Sequence, residues 1–105
     1  MSIFLDVMKE ELERNLYKQK AFINQLNSLP KGYLSECIID KKVYVYRKWR
    51  EKNKIISQYV GVAEDDNVKK AIEDRKQYLE LKSSLKYLKN EEYRLRKAIK
   101  EYEKL

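Results

Sequence analysis

The stretch that decides the fold is residues 29–61, which read LPKGYLSECIIDKKVYVYRKWREKNKIISQYVG. Its β-branched and aromatic residues alternate with polar ones, and this two-residue period is typical of strands. The pattern predicts three short strands, at residues 33–39, 43–49 and 55–60. Because the connectors between them are polar and short, we expect an antiparallel meander in which each strand pairs with the next.

The residues before the meander have the period of a helix. Residues 2–28 contain neither Gly nor Pro, and their apolar residues recur three and four positions apart. Polar Asn15 and Gln19 interrupt this register, and such seam positions fix register or partner number at a cost in stability. Pro30 is expected to end the helix because it disfavours helical dihedrals at the preceding residue. The predicted seam runs through residues 5, 8, 12, 15, 19, 22, 26 and 29.

A second and longer helix is predicted after the meander, at residues 65–104, which also lack Gly and Pro. Acidic residues at its start and lysines near its end suit the helix dipole. Its apolar register changes phase near Ser83 and Ser84, which favours a bend or local unwinding there. The register is Val68, Ile72, Arg75 and Leu79 before the change, and Tyr78, Leu81, Leu85, Leu88, Glu92, Leu95, Ile99 and Tyr102 after it.

These elements predict an α+β fold in a single domain, residues 1–105, ordered helix, three-stranded antiparallel meander, long helix. We expect the helices to pack as an antiparallel, coiled-coil-like hairpin with the small sheet at one end. The first helix spans about 40 Å and the second about 60 Å, so about the last dozen residues of the second overhang the first. This overhang predicts a homodimer through the C-terminal helix. The predicted oligomer or partner interface consists of Leu88, Leu95, Ile99 and Tyr102.

The composition excludes most enzyme classes. The 105 residues include no His, one Cys and two Gly, which rules out His-ligated zinc, clustered-cysteine metal sites, Ser-His-Asp triads and glycine-rich phosphate loops. We therefore expect a protein that is not an enzyme and that uses no cofactor, metal or small-molecule substrate. Cys37, flanked by Glu36 and Ile38, is expected to be a buried structural thiol. Without an apolar run long enough for a membrane span, a cytoplasmic protein is expected.

The positive charge is concentrated in the meander. The whole chain has 24 basic and 17 acidic residues, a formal net charge of +7. Residues 30–61 hold eight basic and three acidic residues, a net charge of +5, whereas residues 1–29 are balanced and residues 62–105 carry +2. The sequence therefore points to the sheet as the region that meets an anionic partner.

The second predicted strand interleaves these charges with aromatic rings. Strand alternation places Tyr44, Tyr46, Lys48 and Arg50 on one face, which offers phenols for base stacking and cations for phosphates. The alternative is structural: tyrosines that pack the sheet on the helices, and lysines that protect turns and edges. The candidate residues for binding nucleic acid or an acidic partner are Lys31, Lys41, Lys42, Tyr44, Tyr46, Arg47, Lys48, Arg50, Lys52 and Lys54.

Several segments of the meander resemble a loose family of small bacterial and mobile-element proteins. The shared pattern is LPKGxL at residues 29–34, YxY at residues 44–46, an RE turn at residues 50–51 and SxYVG at residues 57–61. The resemblance implies a small sheet flanked by coiled-coil helices, and it implies no assigned biochemical function. The strand-turn pattern is also similar to the arm-type DNA-binding sheets of tyrosine recombinases, and the helix pair is similar in outline to prefoldin.

These patterns together favour a non-enzymatic basic module that contacts nucleic acid, or a nucleic-acid-bound protein complex, through the meander. One alternative is a phage or mobile-element protein that inhibits or assists a host defence nuclease, as anti-CRISPR-type proteins do. A second alternative is a structural coiled-coil subunit.

Overall fold

The fold is that of an α+β protein with two helices and one small antiparallel sheet, as the sequence predicts. A computed structural model describes residues 2–105. The strands follow one another in the sheet in chain order. Each element begins or ends within two residues of its predicted boundary. The elements are α1 (Ile3–Ser28), β1 (Tyr33–Ile39), β2 (Lys42–Glu51), β3 (Lys54–Val62) and α2 (Asp66–Glu103).

Two tight turns connect the strands. Asp40 and Lys41 have φ angles of 50° and 69°, and Lys52 and Asn53 have φ angles of 47° and 67°. Two consecutive positive φ values are the signature of the type I′ hairpin turn, whose twist matches that of the flanking strands. The connectors are therefore two residues long, shorter than the polar segments predicted from the sequence.

The chain divides into two compact units. The sheet unit comprises Leu29–Leu79, and the hairpin unit comprises the residues up to Ser28 together with Glu80–Leu105. Helix α2 belongs to both units and is continuous from Asp66 to Glu103. Ser83 and Ser84 therefore lie inside an unbroken helix, and the local unwinding considered for them does not occur. The phase change of the apolar register falls close to the boundary between the units.

The core of the sheet unit lies between one face of the sheet and the start of α2. Val45, Val68 and Ala71 are buried, with exposed fractions of 4%, 1% and 3%. Gly61 pairs with Val45, and a Cβ atom at Gly61 would lie only 3.3 Å from Val68 Cγ2. The face of Val45 is therefore the inner face, which packs on α2. The opposite face of the sheet is called the outer face below.

A bulge in β3 makes this close approach. Val45 pairs with Gly61 and Tyr46 pairs with Tyr59, so Val60 is the extra residue. Beyond the bulge, the Val62 amide donates to Asp65 Oδ2 at 3.1 Å, and Asp65 O accepts from the amides of Val68 and Lys69 in the first turn of α2. The strand and the helix are thus joined by a short, hydrogen-bonded turn.

Two of the four positions predicted for the first part of α2 are wrong by one residue, whereas Val68 and Arg75 are correct. Ile72 and Leu79 are 54% and 51% exposed, whereas Ala71 is buried and Tyr78 is half-buried. Arg75 occupies the same helix face: its Nη1 donates to Gly32 O at 2.5 Å, and its guanidinium lies 5.2 Å from the Tyr78 ring centroid. The inner face therefore packs against small and polar side chains that an apolar periodicity does not detect.

The hairpin unit pairs α1 with the second part of α2 in antiparallel orientation. Lys9 Nζ lies 3.5 Å from Glu103 Oε1, and Asn15 Nδ2 donates to Leu88 O at 2.9 Å. Every predicted seam position of α1 is buried or half-buried, which confirms its register. Asn15 and Gln19 are the buried polar residues at its centre, 2% and 7% exposed.

The predicted overhang at the end of α2 is wrong. The ion pair of Lys9 with Glu103 shows that α1 reaches the last turn of α2, and the surplus length of α2 belongs instead to the sheet unit. Leu88 is buried, and Leu95, Ile99 and Tyr102 are half-buried. A homodimer through these four residues stays a prediction. These residues do not form the uncovered apolar surface on which that prediction was based.

The expected burial of Cys37 is also wrong, because this residue is exposed. It pairs with Tyr44 and so lies on the outer face, where no helix residue of the sheet unit buries it. Within residues 2–105, neither helix is apolar enough over a sufficient length to cross a membrane.

Candidate nucleic-acid interface

The outer face of the sheet combines rings and cations, and the three acids of the sheet segment itself, residues 33–62, lie off it. Alternation along β2 gives this face two tyrosines and three cations, and pairing adds Tyr33 from β1 and Tyr59 from β3. Among residues 33–62, all of which are described, the acids lie elsewhere: Glu36 and Glu51 on the inner face, and Asp40 in a turn. The β2 residues of the outer face are Lys42, Tyr44, Tyr46, Lys48 and Arg50.

Three of these tyrosines form a cluster in the middle of the face. The ring centroids of Tyr46 and Tyr59 are 5.4 Å apart at an interplanar angle of 60°, and those of Tyr44 and Tyr59 are 6.4 Å apart at 44°. Such tilted arrangements are favourable for aromatic pairs. Tyr59, which contacts both of the other rings, is 52% exposed. The cluster is therefore ordered and open to solvent.

The electrostatics of the cluster keep its central phenol protonated. Desolvation by the neighbouring side chains raises the pKa of Tyr59, and the charges of Asp65, Tyr44 and Tyr46 raise it further. Tyr59 therefore presents a neutral phenol around neutral pH. A neutral phenol can stack on a base and donate a hydrogen bond to a phosphate oxygen.

The predicted binding residues do not all belong to this face. Lys41 and Lys52 lie in the two turns, at opposite ends of the sheet. Arg47 lies on the inner face beside Gln58 and is half-buried. Lys54 pairs with Glu51 on the inner face. Exposed Lys31 precedes β1.

Sequence reasoning missed Tyr33 and Tyr59. Both lie on the strands that flank β2, so their face depends on the pairing register. A hint was present in the alternation of Ile55, Ser57 and Tyr59, which places these three residues on one face of β3.

The fold and this face define the class: a small α+β protein that presents one cationic, tyrosine-rich sheet surface. A family model described as Domain of unknown function (DUF6788) matches residues 6–70, which span most of α1, the whole sheet and the start of α2. Because this match covers more than half of the chain, the protein belongs to that family. No curated protein and no solved structure matches the chain.

Proposed function

We propose that the protein is a non-enzymatic module that binds nucleic acid through the outer face of its sheet. The observation that carries the proposal is the sorting of charge and rings described above: four tyrosines and three cations share the face, and the acids of residues 33–62 lie off it. A sheet that used its lysines only for solubility has no need of this sorting.

The cations and the tyrosines of the outer face have different roles in this binding. Lys42, Lys48 and Arg50 attract phosphates, and this contribution weakens as salt is added. The exposed ring of Tyr59 gives an unpaired base a surface on which to stack, which is worth about 1–3 kcal/mol per base. The lysines at the two turns extend the positive surface at both ends. Bound bases therefore lie over the tyrosine cluster and the backbone follows the cations.

Three further statements form part of this proposal. The meander motifs link the chain to bacterial and mobile-element proteins, the protein acts in the cytoplasm, and it dimerises through the second part of α2. Sequencing the DNA that flanks the gene tests the first statement, and cell fractionation tests the second. Light scattering at micromolar concentration tests the third, since a monomer contradicts it.

Fluorescence anisotropy with a labelled single-stranded oligonucleotide tests the binding face. The variant Tyr59→Ala is expected to bind at least fivefold more weakly, because it removes the exposed stacking surface. Tyr59→Phe retains the ring and is expected to bind almost as tightly as the wild type. Tyr17, which is 78% exposed on α1, supplies the matched control in Tyr17→Ala. Equal losses in Tyr17→Ala and Tyr59→Ala would contradict the proposal, as would no binding at low salt.

The salt dependence of the same binding tests the cations. Replacing Lys42, Lys48 and Arg50 by Gln is expected to lower the slope of log affinity against log salt by about 2, since single strands contribute about 0.7 per phosphate. The control removes three positive charges elsewhere, with Lys18, Lys20 and Lys69 changed to Gln. The same fall in slope for both triple variants would show a general charge effect and refute a specific face.

A further inference from the structure

Helix α2 carries a second basic surface, in the hairpin unit. Starting at Lys86, cations and one tyrosine recur at spacings of three and four residues, which places them on one helix face. Each of these side chains is exposed, and Tyr93 is 69% exposed. The row spans about 27 Å of helix. This basic stripe consists of Lys86, Lys89, Tyr93, Lys97, Lys100 and Lys104.

Three of the four acids in the same helix segment bond to side chains of α1. Asn15 Nδ2 donates to Glu91 Oε1 at 3.1 Å and Gln19 Nε2 donates to Glu92 Oε1 at 2.8 Å. Glu103 pairs with Lys9, also on α1. Glu101 is exposed and lies four residues after Lys97 and three before Lys104, so it borders the stripe on one side. Across residues 86–104, all within the described chain, three of the four acids therefore bond to α1, and the stripe has five lysines beside one bordering acid.

This separation explains why a net charge conceals the surface. Residues 62–105 contain twelve basic and ten acidic residues, which sum to only +2. In three dimensions the acids at the hairpin seam are used by α1, whereas the stripe lysines face solvent. A ligand that approaches the exposed side of α2 meets a row of positive charges rather than a balanced helix.

We propose that the basic stripe binds the phosphate backbone of double-stranded nucleic acid. The stripe supplies point charges on long flexible stems, which contact phosphates without reading base sequence. Duplex nucleic acid has phosphates that continue over the whole 27 Å, about eight base pairs at 3.4 Å per base pair. A lipid surface fits less well, because the stripe has a single ring and no aliphatic residue to insert among acyl chains. Binding here does not depend on the outer face of the sheet.

The test is the salt dependence of binding to a labelled duplex of about 15 base pairs, which is longer than the stripe. The stripe variant changes Lys86, Lys89, Lys97 and Lys100 to Gln, which preserves helix propensity. The matched control changes Lys18, Lys20, Lys69 and Lys70 to Gln. Both variants lose four positive charges from the same total of +7, so net charge cannot distinguish them. Circular dichroism verifies that each variant retains its helices.

The stripe variant is expected to bind duplex at least tenfold more weakly, with a salt slope lower by about 3.6, because each of the four phosphate contacts contributes about 0.9. The control is expected to retain most of the wild-type slope. Equal slopes for the two variants overturn the proposal, as does a wild-type protein that binds no duplex. Binding to anionic phosphatidylserine vesicles but not to duplex also overturns it. Single-strand binding that survives in the stripe variant leaves the outer face intact as a separate site.

Discussion

The sheet unit and the hairpin unit hold their registers by different means. In the sheet unit, the register is fixed by backbone pairing, by two tight turns and by two glycines at points of close approach. In the hairpin unit, the register is fixed by two buried side-chain amides, because Asn15 and Gln19 form hydrogen bonds with each other and with α2. The first unit is therefore sensitive to added atoms, and the second to removed hydrogen-bonding groups.

The two units also sort charge by different periods. Alternation along β2 gives the sheet one face of cations and rings, and the inner face retains Glu36 and Glu51. In the hairpin unit the helical period turns Glu91 and Glu92 toward α1 and leaves lysines outside. Net charge by segment detects the first arrangement, because the sheet is basic as a whole. It misses the second, because opposite charges on one helix cancel in a sum.

The largest loss of stability is expected from Gly32→Ala in the sheet unit. Gly32 has φ +92°, and a Cβ atom there would lie 2.1 Å from the backbone oxygen of Lys48. The strand must move to admit the methyl group, so we expect a loss of about 3–5 kcal/mol in the free energy of unfolding. Urea unfolding monitored by the fluorescence of Trp49, which lies in β2, measures this loss.

Gly61→Ala is the control for that experiment. The closest atom to a Cβ at Gly61 is Asp65 Oδ2 at 2.7 Å, the end of a side chain that can rotate away. We expect a smaller loss, about 1–2 kcal/mol, which includes the hydrogen bond from the Val62 amide. If both variants unfold at the wild-type urea concentration, backbone approach does not hold the register of the sheet.

The next effect is expected from the buried amides of the hairpin unit. Asn15→Ala removes bonds to Leu88 and Glu91 and leaves Gln19 without its partner on α1, so we expect a loss of about 2–3 kcal/mol. Urea unfolding followed by circular dichroism measures it. Asn24→Ala on the exposed side of α1 is the control. A loss below about 0.5 kcal/mol for Asn15→Ala would show that the amides contribute little.

Replacing both buried amides by Leu tests whether they fix the register of the hairpin unit or add to its stability. An apolar pair of similar size removes the buried polar groups together, so the double variant Asn15→Leu, Gln19→Leu is expected to be as stable as the wild type or more so. Its register is expected to be less well defined, since the directional bonds are gone. Broadened amide resonances of α1 and α2 in NMR spectra would report this loss. Sharp, wild-type-like spectra would mean that the apolar seam alone sets the register.

Much of the fold followed from residue periods, because local patterns decide which residues form helices and strands. The strand positions, the α1 seam and the α2 seam beyond Leu81 were predictable in this way. The end of the helix pairing was not predictable in this way. The predicted overhang required that both helices pair from the start of α2, whereas the start of α2 packs on the sheet through Ala71 and Arg75. Small and charged residues at a packed face give no apolar signal.

The candidate site was predictable only in part, for a related reason. The face of Tyr44 and Tyr46 follows from one strand alone. The positions of Tyr33 and Tyr59 depend on the pairing between strands, which the pattern of one strand does not give. The exposure of Cys37 likewise depends on which sheet face the helix covers, and this follows from the closeness of Gly61 to Val68.

The smallest expected effect is a pH dependence that belongs to the hairpin unit. Gln19 and Arg96 donate hydrogen bonds to the Glu92 carboxylate, and these bonds hold its pKa below the ordinary value of 4.5. Since the folded state favours the ionised carboxylate, this group stabilises the protein fully above about pH 4.5. The contribution is lost as the pH falls from there through the lowered pKa of the folded state.

The variant Glu92→Gln isolates this contribution, because it retains an oxygen that accepts from Gln19 but cannot titrate. The difference in unfolding free energy between wild type and variant is expected to be constant from neutral pH to about pH 5 and to shrink below pH 4.5. Asp74→Asn is the control from the sheet unit, since Asp74 forms only a 3.5 Å ion pair with exposed Lys70. A difference in unfolding free energy that stays unchanged down to pH 3 would contradict this prediction. It would mean that protonation of Glu92 does not weaken the pairing of the two helices, because the hydrogen bond with Gln19 would be sufficient without the charge.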